Sequence, residues 1–501
     1  MPRVNTTSVR EELEHLRSEY DRLSSKGQVS AEVKMLIQGM FLLFEVLVSV
    51  FLEKTTRKNS KNSSLPPSQT EKDESATIAA GSKSKGREES LNRFSNSRTV
   101  EKIRESKVND CGICGEDLRD VPCHGHERRT KIDIVFEKVA EHVDAEIKTC
   151  PSCNNEVKGE FPTDMSGPIQ YGNGLKAWLI NLVIAQMIAL GRARKMVQTL
   201  LGVALAENTI LKYVLQLHVA LEPWEASAKV AMIQAKVMNC DETSLRVDKQ
   251  NYWVHVYSAG EITLKFLHKK RGHEAVEDIG ILPLYGGVVV HDCWASYFTY
   301  GNCTHGLCGS HLLRELTFVI ESNGYAWAKN IKKLLKAACK RVSSRRSKRL
   351  TSREYAALQK CYRNIITRGK KKMPHLLERK AGKRGRLAKS DAHNLLERLE
   401  KYEAGVLLFA KISEVPFTNN RAERDLRMGK VKQKVSGCFR NPLFAHAYCR
   451  ISSYLSTMAN RGYNPLVAIQ IALNGLAPIE TSPAKSINFP WRGSSYELSA
   501  V

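Results

Sequence analysis

A multi-domain protein with an α/β core is predicted from the order of its apolar runs and from its length. Strand-like runs at 236–240, 245–247, 252–258 and 262–267 follow one another across turn-length gaps, as in an antiparallel meander. A short helical stretch at 273–282 leads to the apolar run 288–291, a further short run at 305–308 and a helix at 311–321. Antiparallel strands, a helix, a parallel strand with an acid at its end, then more helices: this is the element order of a ribonuclease-H-like fold. At 501 residues the chain is too long for one ordinary core, and its 42% hydrophobic content with six Trp is that of a folded protein.

Residues 1–54 read as a helical, coiled-coil oligomerisation segment. Val9, Leu13, Leu16, Tyr20 and Leu23 alternate spacings of four and three, and Gly27 ends that helix. On a second helix, Val33, Leu36, Met40, Leu43, Leu47 and Val50 make one stripe; Ile37, Phe41, Phe44, Val48 and Phe51 make another. Two apolar seams need two covers. A hairpin that also dimerises supplies them, and so does a small intramolecular bundle. The apolar stretch 35–52 is interrupted by Gln38, Glu45 and Ser49 and is a poor membrane span. Residues 55–108, dominated by Ser, Lys, Asn and Pro, read as a flexible polar linker.

Residues 109–160 are expected to bind zinc. Cys111 and Cys114, like Cys150 and Cys153, form C-x-x-C pairs, each able to present two thiolates from one tight loop, and two such loops complete a tetrahedral Zn²⁺ shell. Strand-like segments at 132–135 and 146–148 would bring them together, and Cys123, His124 and His126 are substitute ligands. Thirteen Cys that include these C-x-x-C pairs, with no signal peptide, point to a reducing cytoplasm rather than a disulfide framework.

Residues 170–232 read as helical, with helices at 175–190, 192–201 and from about 207, separated by Gly191 and Gly202. Helix, glycine-containing turn, helix is the grammar of a helix-turn-helix, with Arg192, Arg194 and Lys195 placed to touch phosphate; an ordinary helical bundle fits the same pattern. Residues 233–440 form the α/β core, interrupted by a basic helical insertion at 325–410. Within 329–389 there are 23 Lys and Arg against Glu354 and Glu378, a net of +21. That is nearly all the excess of a chain whose 77 basic and 52 acidic residues leave +25. A one-sign block with helical stretches at 331–342 and 352–367 reads as a surface for a phosphate backbone, including Lys370, Lys371 and Lys372, with 382–386 as a flexible basic loop. Nucleic acid is the implied partner, before membrane. Residues 441–501 hold two apolar helices, at 445–460 and 465–475, and a tail.

Three acids are candidates for chemistry. Asp241 follows an apolar run and reads as a carboxylate at the mouth of a strand; Asp292 ends the run 288–291; Glu423 lies in a helix starting near Thr418, Asn419 and Asn420, whose Asn residues are natural caps. Three such acids on one core can hold two Mg²⁺ for in-line phosphoryl transfer, because Mg²⁺ prefers hard oxygen ligands. Arg421, Arg424 and Arg427 flank Glu423 and would bind DNA phosphate or pair with acids. Glu242 points to the other side of its strand and is the weaker ligand; Asp248 and Glu261 fall near turns. Cys303, His305, Cys308 and His311 read either as a second metal site or as residues packed near the core, the latter being favoured.

These motifs occur in a recognisable order. After the coiled-coil-like N-terminus come NSSLPPS, the paired C-x-x-C loops, QYGNGLKAWLINL, DETSLRV, YWVHV, HDCWASY, Cys308-x-x-His311-x-x-Arg314, NNRAERDLR and SYLSTMANRGYNPLVAI. From about residue 10 to 480 the chain resembles the transposases of the insertion sequence 66 family, of the DDE class. The resemblance implies that Asp241, Asp292 and Glu423 are the catalytic triad and that a zinc-binding segment precedes a helix-turn-helix-like region. It implies binding to terminal inverted repeats, cleavage at element ends and strand transfer into target DNA by a homo-oligomer, with accessory proteins of the same element as further partners. Leu65 departs from the family in standing where a basic residue is usual. Rival readings are a non-catalytic zinc-containing DNA-binding regulator, a ribonuclease-H-like nuclease that cleaves without joining, and a folded but inactive transposase copy.

Overall fold

In the computed structural model, which describes residues 6–25, 30–56, 62, 106–129, 139–163, 165, 167–374 and 389–477, the first helix meets the second through Tyr20. Helices α1 (Thr6–Ser25) and α2 (Ala31–Thr55) form a hairpin. Tyr20, on the predicted seam, is buried, lies 5.8 Å from the Phe41 ring and donates to the Lys34 carbonyl at 3.1 Å. Of the α2 stripe that contains Phe41, Ile37, Phe41 and Val48 are half-buried and Phe44 is exposed; the other leaves Leu36 67% and Leu47 54% exposed. Near its end α2 carries a buried acid, Glu53. Its carboxylate accepts Asn323 Nδ2 at 3.0 Å and the N–H groups of Asp391 and Ala392 at 2.5 and 2.9 Å, where a later helix begins and its free N–H groups favour an anion. Most of the expected linker lies outside the described residues; of NSSLPPS only Asn62 is described, donating to Glu321 at 2.6 Å.

The chain divides into two compact units, one of Met1–Ser84, Glu225–Gln433 and Cys438–Cys449, the other of Lys85–Trp224, Lys434–Gly437 and Arg450–Val501. In the second, both C-x-x-C pairs build the same loop. The Cys111 N–H donates to Glu116 at 2.8 Å and Gly115 donates back to Cys111 at 2.9 Å; Cys150 donates to Asn155 and Asn154 donates back to Cys150, both at 2.9 Å. Gly115 (φ 79°) and Asn154 (φ 57°) occupy the left-handed position that each loop requires, and these are the residue types that tolerate it. The second loop closes the hairpin of β1 (Ile147–Thr149) and β2 (Glu156–Lys158), so the strand expected at 146–148 is found one residue along; that at 132–135 lies outside the described residues.

The helices that follow differ from expectation at one point. α3 (Asn173–Ile180) passes into a π-helical turn, Asn181–Ala185, and the chain breaks at Met187, whose φ is 57°. The apolar run continues past this break, which hides it from a periodicity reading, and Gly191 lies inside the first turn of α4 (Leu190–Leu201) instead of ending a helix. Gly202 (φ 65°) does end α4, and α5 (Glu207–Ala220) and α6 (Glu222–Ile233) follow.

The sheet is organised by β3 (Val237–Val247), one continuous strand where two short ones are predicted. Asp241, Glu242 and Thr243 remain in it because β4 (Gln250–Ala259) pairs along its whole length, Asp241 opposite Val256. Asp248 and Lys249, both with positive φ, make the tight turn between them. β5 (Ile262–His268) adds a third antiparallel strand. α7 (His273–Ile279) returns the chain to β6 (Val288–His291), parallel to β3, and β7 (Thr304–Leu307) lies parallel to β6, giving the order β5-β4-β3-β6-β7.

Five helices then build one core with β6 and β7: α8 (Gly309–Asn323), α9 (Ala326–Ser343), α10 (Ser352–Lys372), α11 (Asp391–Lys401) and α12 (Glu403–Lys411). Val290 and Leu307 pack there with Leu316, Ile331, Tyr362 and Leu407. The basic segment is therefore anchored by apolar faces on α9 and α10; the loop expected at 382–386 lies outside the described residues. α13 (Asn420–Ser436), α14 (Pro442–Asn460) and α15 (Pro465–Leu473) follow. Among the described residues no helix is long and apolar enough to cross a membrane.

Candidate active site

The first two acids are brought together by strand register. β6 runs beside β3 with Val288 level with Val237, Val289 with Met238 and Val290 with Asn239. Carried two residues further, the same offset sets Asp292 level with Asp241, just where β6 has ended. Asp241 therefore stands within β3, not at its mouth as the sequence suggests; what ends at this level is the neighbouring strand. The Glu242 N–H donates to Asp241 at 2.9 Å and the Trp294 N–H to Asp292 at 3.0 Å. Burial raises the Asp241 carboxyl well above the usual carboxylate range, and the charges of Glu242, Asp292 and Glu423 add to it. Asp292 is pushed up to about 6, by burial first and then by Glu242. Acids that raise one another in this way gain from a cation placed among them.

Glu423 reaches the site from the first turn of α13, and Asn419 positions that turn. The Asn419 amide donates to the Cys240 carbonyl at 2.6 Å and accepts from Asn239 Nδ2 at 2.8 Å. Its N–H donates to Cys308 Sγ at 3.1 Å, and its carbonyl accepts the Glu423 N–H at 3.3 Å. The expected capping role is thus replaced: the side chain ties α13 to β3. Three further residues extend the attachment. Arg421 donates to the Gly260 and Ile262 carbonyls at 2.5 and 3.2 Å, Asp425 accepts from Ser258 and Thr263 at 2.8 and 3.0 Å, and Lys430 donates to the Ser244 carbonyl at 2.6 Å. Gly309 permits α8 to start against this segment, since a Cβ there would lie 2.3 Å from the Phe417 ring.

Glu242 is committed elsewhere. Its side chain, 2% exposed, accepts from Arg271 Nε at 2.8 Å and from the Tyr297 hydroxyl at 2.5 Å. Arg271 in turn lies 3.6 Å from the centre of the Trp294 ring, so the loop after Asp292 is fixed to β3 through one half-buried ion pair. Sequence reasoning did not single out Arg271, Trp294 or Tyr297; two of them lie in the HDCWASY motif, which was the available signal.

The cysteine and histidine cluster of the sequence divides in two. His305 Nδ1 meets His291 Nε2 at 2.9 Å, and Cys303 Sγ lies 3.9 Å from His305 Nε2. Cys308 and His311 join Glu423 instead: their donor atoms and a Glu423 oxygen lie within 4.8 Å of one another. His311 Nδ1 stands 3.5 Å and Arg314 3.7 Å from Glu423 Oε1.

Among the described residues, the sulfurs of Cys111, Cys114, Cys150 and Cys153 do not gather as three or more donors within that same 4.8 Å limit. The Cys111 and Cys150 thiols are each held below the ordinary cysteine value by the N–H of the second cysteine of their pair, Cys114 and Cys153. On α4, Arg192 and Lys195 are exposed and Arg194 is half-buried. Lys370 pairs with Glu400 at 2.8 Å, whereas Lys371 and Lys372 are exposed. Arg424 and Arg427 are exposed; Arg421 is spent on the β4–β5 turn.

A family model described as Transposase IS66 family matches residues 168–447, more than half of the chain. The chain belongs to that family. No curated protein matches it at the level of significance required. Membership makes the chain a transposase-family protein, a DNA-acting enzyme with DNA as its partner. The stretch matching the IS66 transposase family runs from just before α3 into α14 and contains Asp241, Asp292, Glu423 and Asn419.

Proposed function

We propose that Asp241, Asp292 and Glu423 are the triad of a DDE transposase that cuts at the ends of its mobile element and joins them to target DNA. The observation that carries this reading is the strand register that sets Asp292 level with Asp241, with the turn that bears Glu423 tied to β3 by Asn419, all within the family-matched region. Three antiparallel strands followed by two parallel ones fit a ribonuclease-H-like core.

The residues suit Mg²⁺. All three offer hard oxygens, and Glu423 Oε1 has no hydrogen-bond partner among the described residues. Held by the three acids, as a pair of ions, Mg²⁺ supplies the positive charge that in-line phosphoryl transfer requires. The chain does the positioning. Strand register sets the two aspartates level, Asn419 sets the glutamate, and the Glu242–Arg271 pair fixes the loop behind Asp292.

DNA would be gripped by the exposed lysines of α10, by Arg424 and Arg427, and by Arg192 and Lys195 on a helix-turn-helix-like α4. The two matching loops and their lowered thiols support a structural Zn²⁺ on Cys111, Cys114, Cys150 and Cys153. The open stripe on α2 supports a homo-oligomer, as holding two element ends together demands.

Purified protein is incubated with labelled element-end DNA and Mg²⁺, beside Asp292→Ala. Wild type is expected to nick and join; the variant loses several kcal/mol of transition-state stabilisation, or about 10³-fold in rate. No Mg²⁺-dependent nicking by wild type sinks the enzyme reading, and nicking without joined products favours a nuclease. The zinc assignment fails if metal content is unchanged in Cys150→Ser combined with Cys153→Ser.

A further inference from the structure

Cys308, His311 and Glu423 bring a thiol, an imidazole and a carboxylate to one point, and the triad uses only the last. Cys308 precedes α8 and is buried, His311 lies three residues on along the same face, and Glu423 approaches from α13. Two of the donors are unspent. His311 Nδ1 and Glu423 Oε1 are buried, stand 3.5 Å apart and have no hydrogen-bond partner among the described residues. A buried polar atom without a hydrogen bond costs about 1–3 kcal/mol, and the contacts of Glu423 Oε1 with His311 at 3.5 Å and Arg314 at 3.7 Å are too long to supply a good one. The third donor, Cys308 Sγ, is buried and receives the Asn419 N–H at 3.1 Å.

We infer that Cys308, His311 and Glu423 form a site for one borderline divalent cation of the zinc class, distinct in donor chemistry from the all-oxygen aspartate site and sharing Glu423 with it. Mg²⁺ takes oxygen ligands, whereas a sulfur and an imidazole nitrogen select zinc-like ions. Three protein donors with a fourth position open is the arrangement of zinc sites that exchange a ligand. Arg314, 3.7 Å from Glu423 Oε1, is the competing positive charge and the partner of that oxygen when no cation is bound. One consequence rests on the proposed triad: a cation here draws Glu423 towards α8, so zinc and magnesium compete for one carboxylate and zinc slows cleavage.

Cobalt(II) serves as the probe, since a thiolate ligand gives it a near-ultraviolet charge-transfer band. Full-length protein stripped of metal is titrated with Co²⁺. Cys308→Ser is expected to lose one bound cobalt per chain with its share of the band, and His311→Gln to bind that cobalt at least about tenfold more weakly, the lower end of what losing an outer partner costs. Circular dichroism confirms folding, and His311→Gln decides the matter if Cys308→Ser does not fold. Asp241→Asn is expected to retain the cobalt, which separates this site from the triad whether or not the protein nicks DNA. Equal cobalt stoichiometry and band intensity in wild type and His311→Gln overturn the proposal, as does loss of the same cobalt in Asp241→Asn.

Discussion

Asn419 has four hydrogen-bonding groups in use, and three of them reach other parts of the core. Its replacement by alanine strands the Cys240 carbonyl and the Asn239 amide, each worth about 1–3 kcal/mol when buried and unpaired. Asn419→Ala is therefore expected to lose about 2–6 kcal/mol of stability in urea denaturation. On the proposed function it also raises the Mg²⁺ concentration that half-saturates nicking, because Glu423 is no longer held; an unchanged Mg²⁺ requirement would show that α13 is placed by other means. At this scale the sequence offers the three acids as candidates. Asp241 and Asp292 follow apolar runs, and Glu423 stands in the Asn- and Arg-rich stretch NNRAERDLR. Asn419 was misread because an asparagine before a helix looks the same whether it caps the helix or crosses to a strand. Arg421, Asp425 and Lys430 were hidden in a run of mixed charge, where spacing does not tell a tether from a solvated side chain.

Among the elements, α10 has the most explicit start. Thr351 Oγ1 accepts the Glu354 N–H at 3.4 Å and the Glu354 carboxylate accepts the Thr351 N–H at 3.0 Å, a reciprocal cap. Thr351→Ala is expected to cost about 1 kcal/mol, read by thermal unfolding. The Glu354 carboxylate also takes two hydrogen bonds from Arg345, which, with the Thr351 cap, hold it down to about 2. A folded value below the unfolded one means stability that is present above about pH 4.5 and is lost as pH falls towards 2. The melting-temperature gap between wild type and Glu354→Gln should therefore narrow as pH is lowered from about 7 to about 3; a constant gap would assign the loss to packing. Strand β3 shows why element boundaries were harder to read than element types. Asp-Glu-Thr carries turn-forming chemistry, and only the full ladder with β4 keeps it extended. The π-turn before Met187 likewise continues the apolar period while leaving the helix.

For the whole molecule, the charge excess is the feature most visible in the sequence, and it resolves into two kinds of basic residue. Some are spent internally: Arg363 on Glu403 at 2.9 Å, Lys370 on Glu400 at 2.8 Å and Lys389 on Glu397 at 2.5 Å. Others, such as Lys371 and Lys372, are exposed. Replacing that exposed pair with Gln is expected to reduce the salt dependence of DNA affinity, by a slope of about 0.9 for each phosphate no longer neutralised, and Lys370→Gln by less. A slope unmoved by the pair would place DNA elsewhere. Assembly is tested on the opposite surface chemistry: Leu36→Glu with Leu47→Glu should shift sedimentation to a smaller species while helical content is retained, and an unchanged species would mean that the stripe has another cover. The two apolar seams on α2 were legible; which one α1 covers was not, because both have the same period.

The insertion of α8–α12 between Asp292 and Glu423 also sets a clock. The two acids lie 131 residues apart in the chain. At roughly 5–20 residues per second, synthesis reaches the glutamate about 7–26 s after the second aspartate. On the proposed reading, a chain still being translated acquires its basic helices before the glutamate that completes the triad.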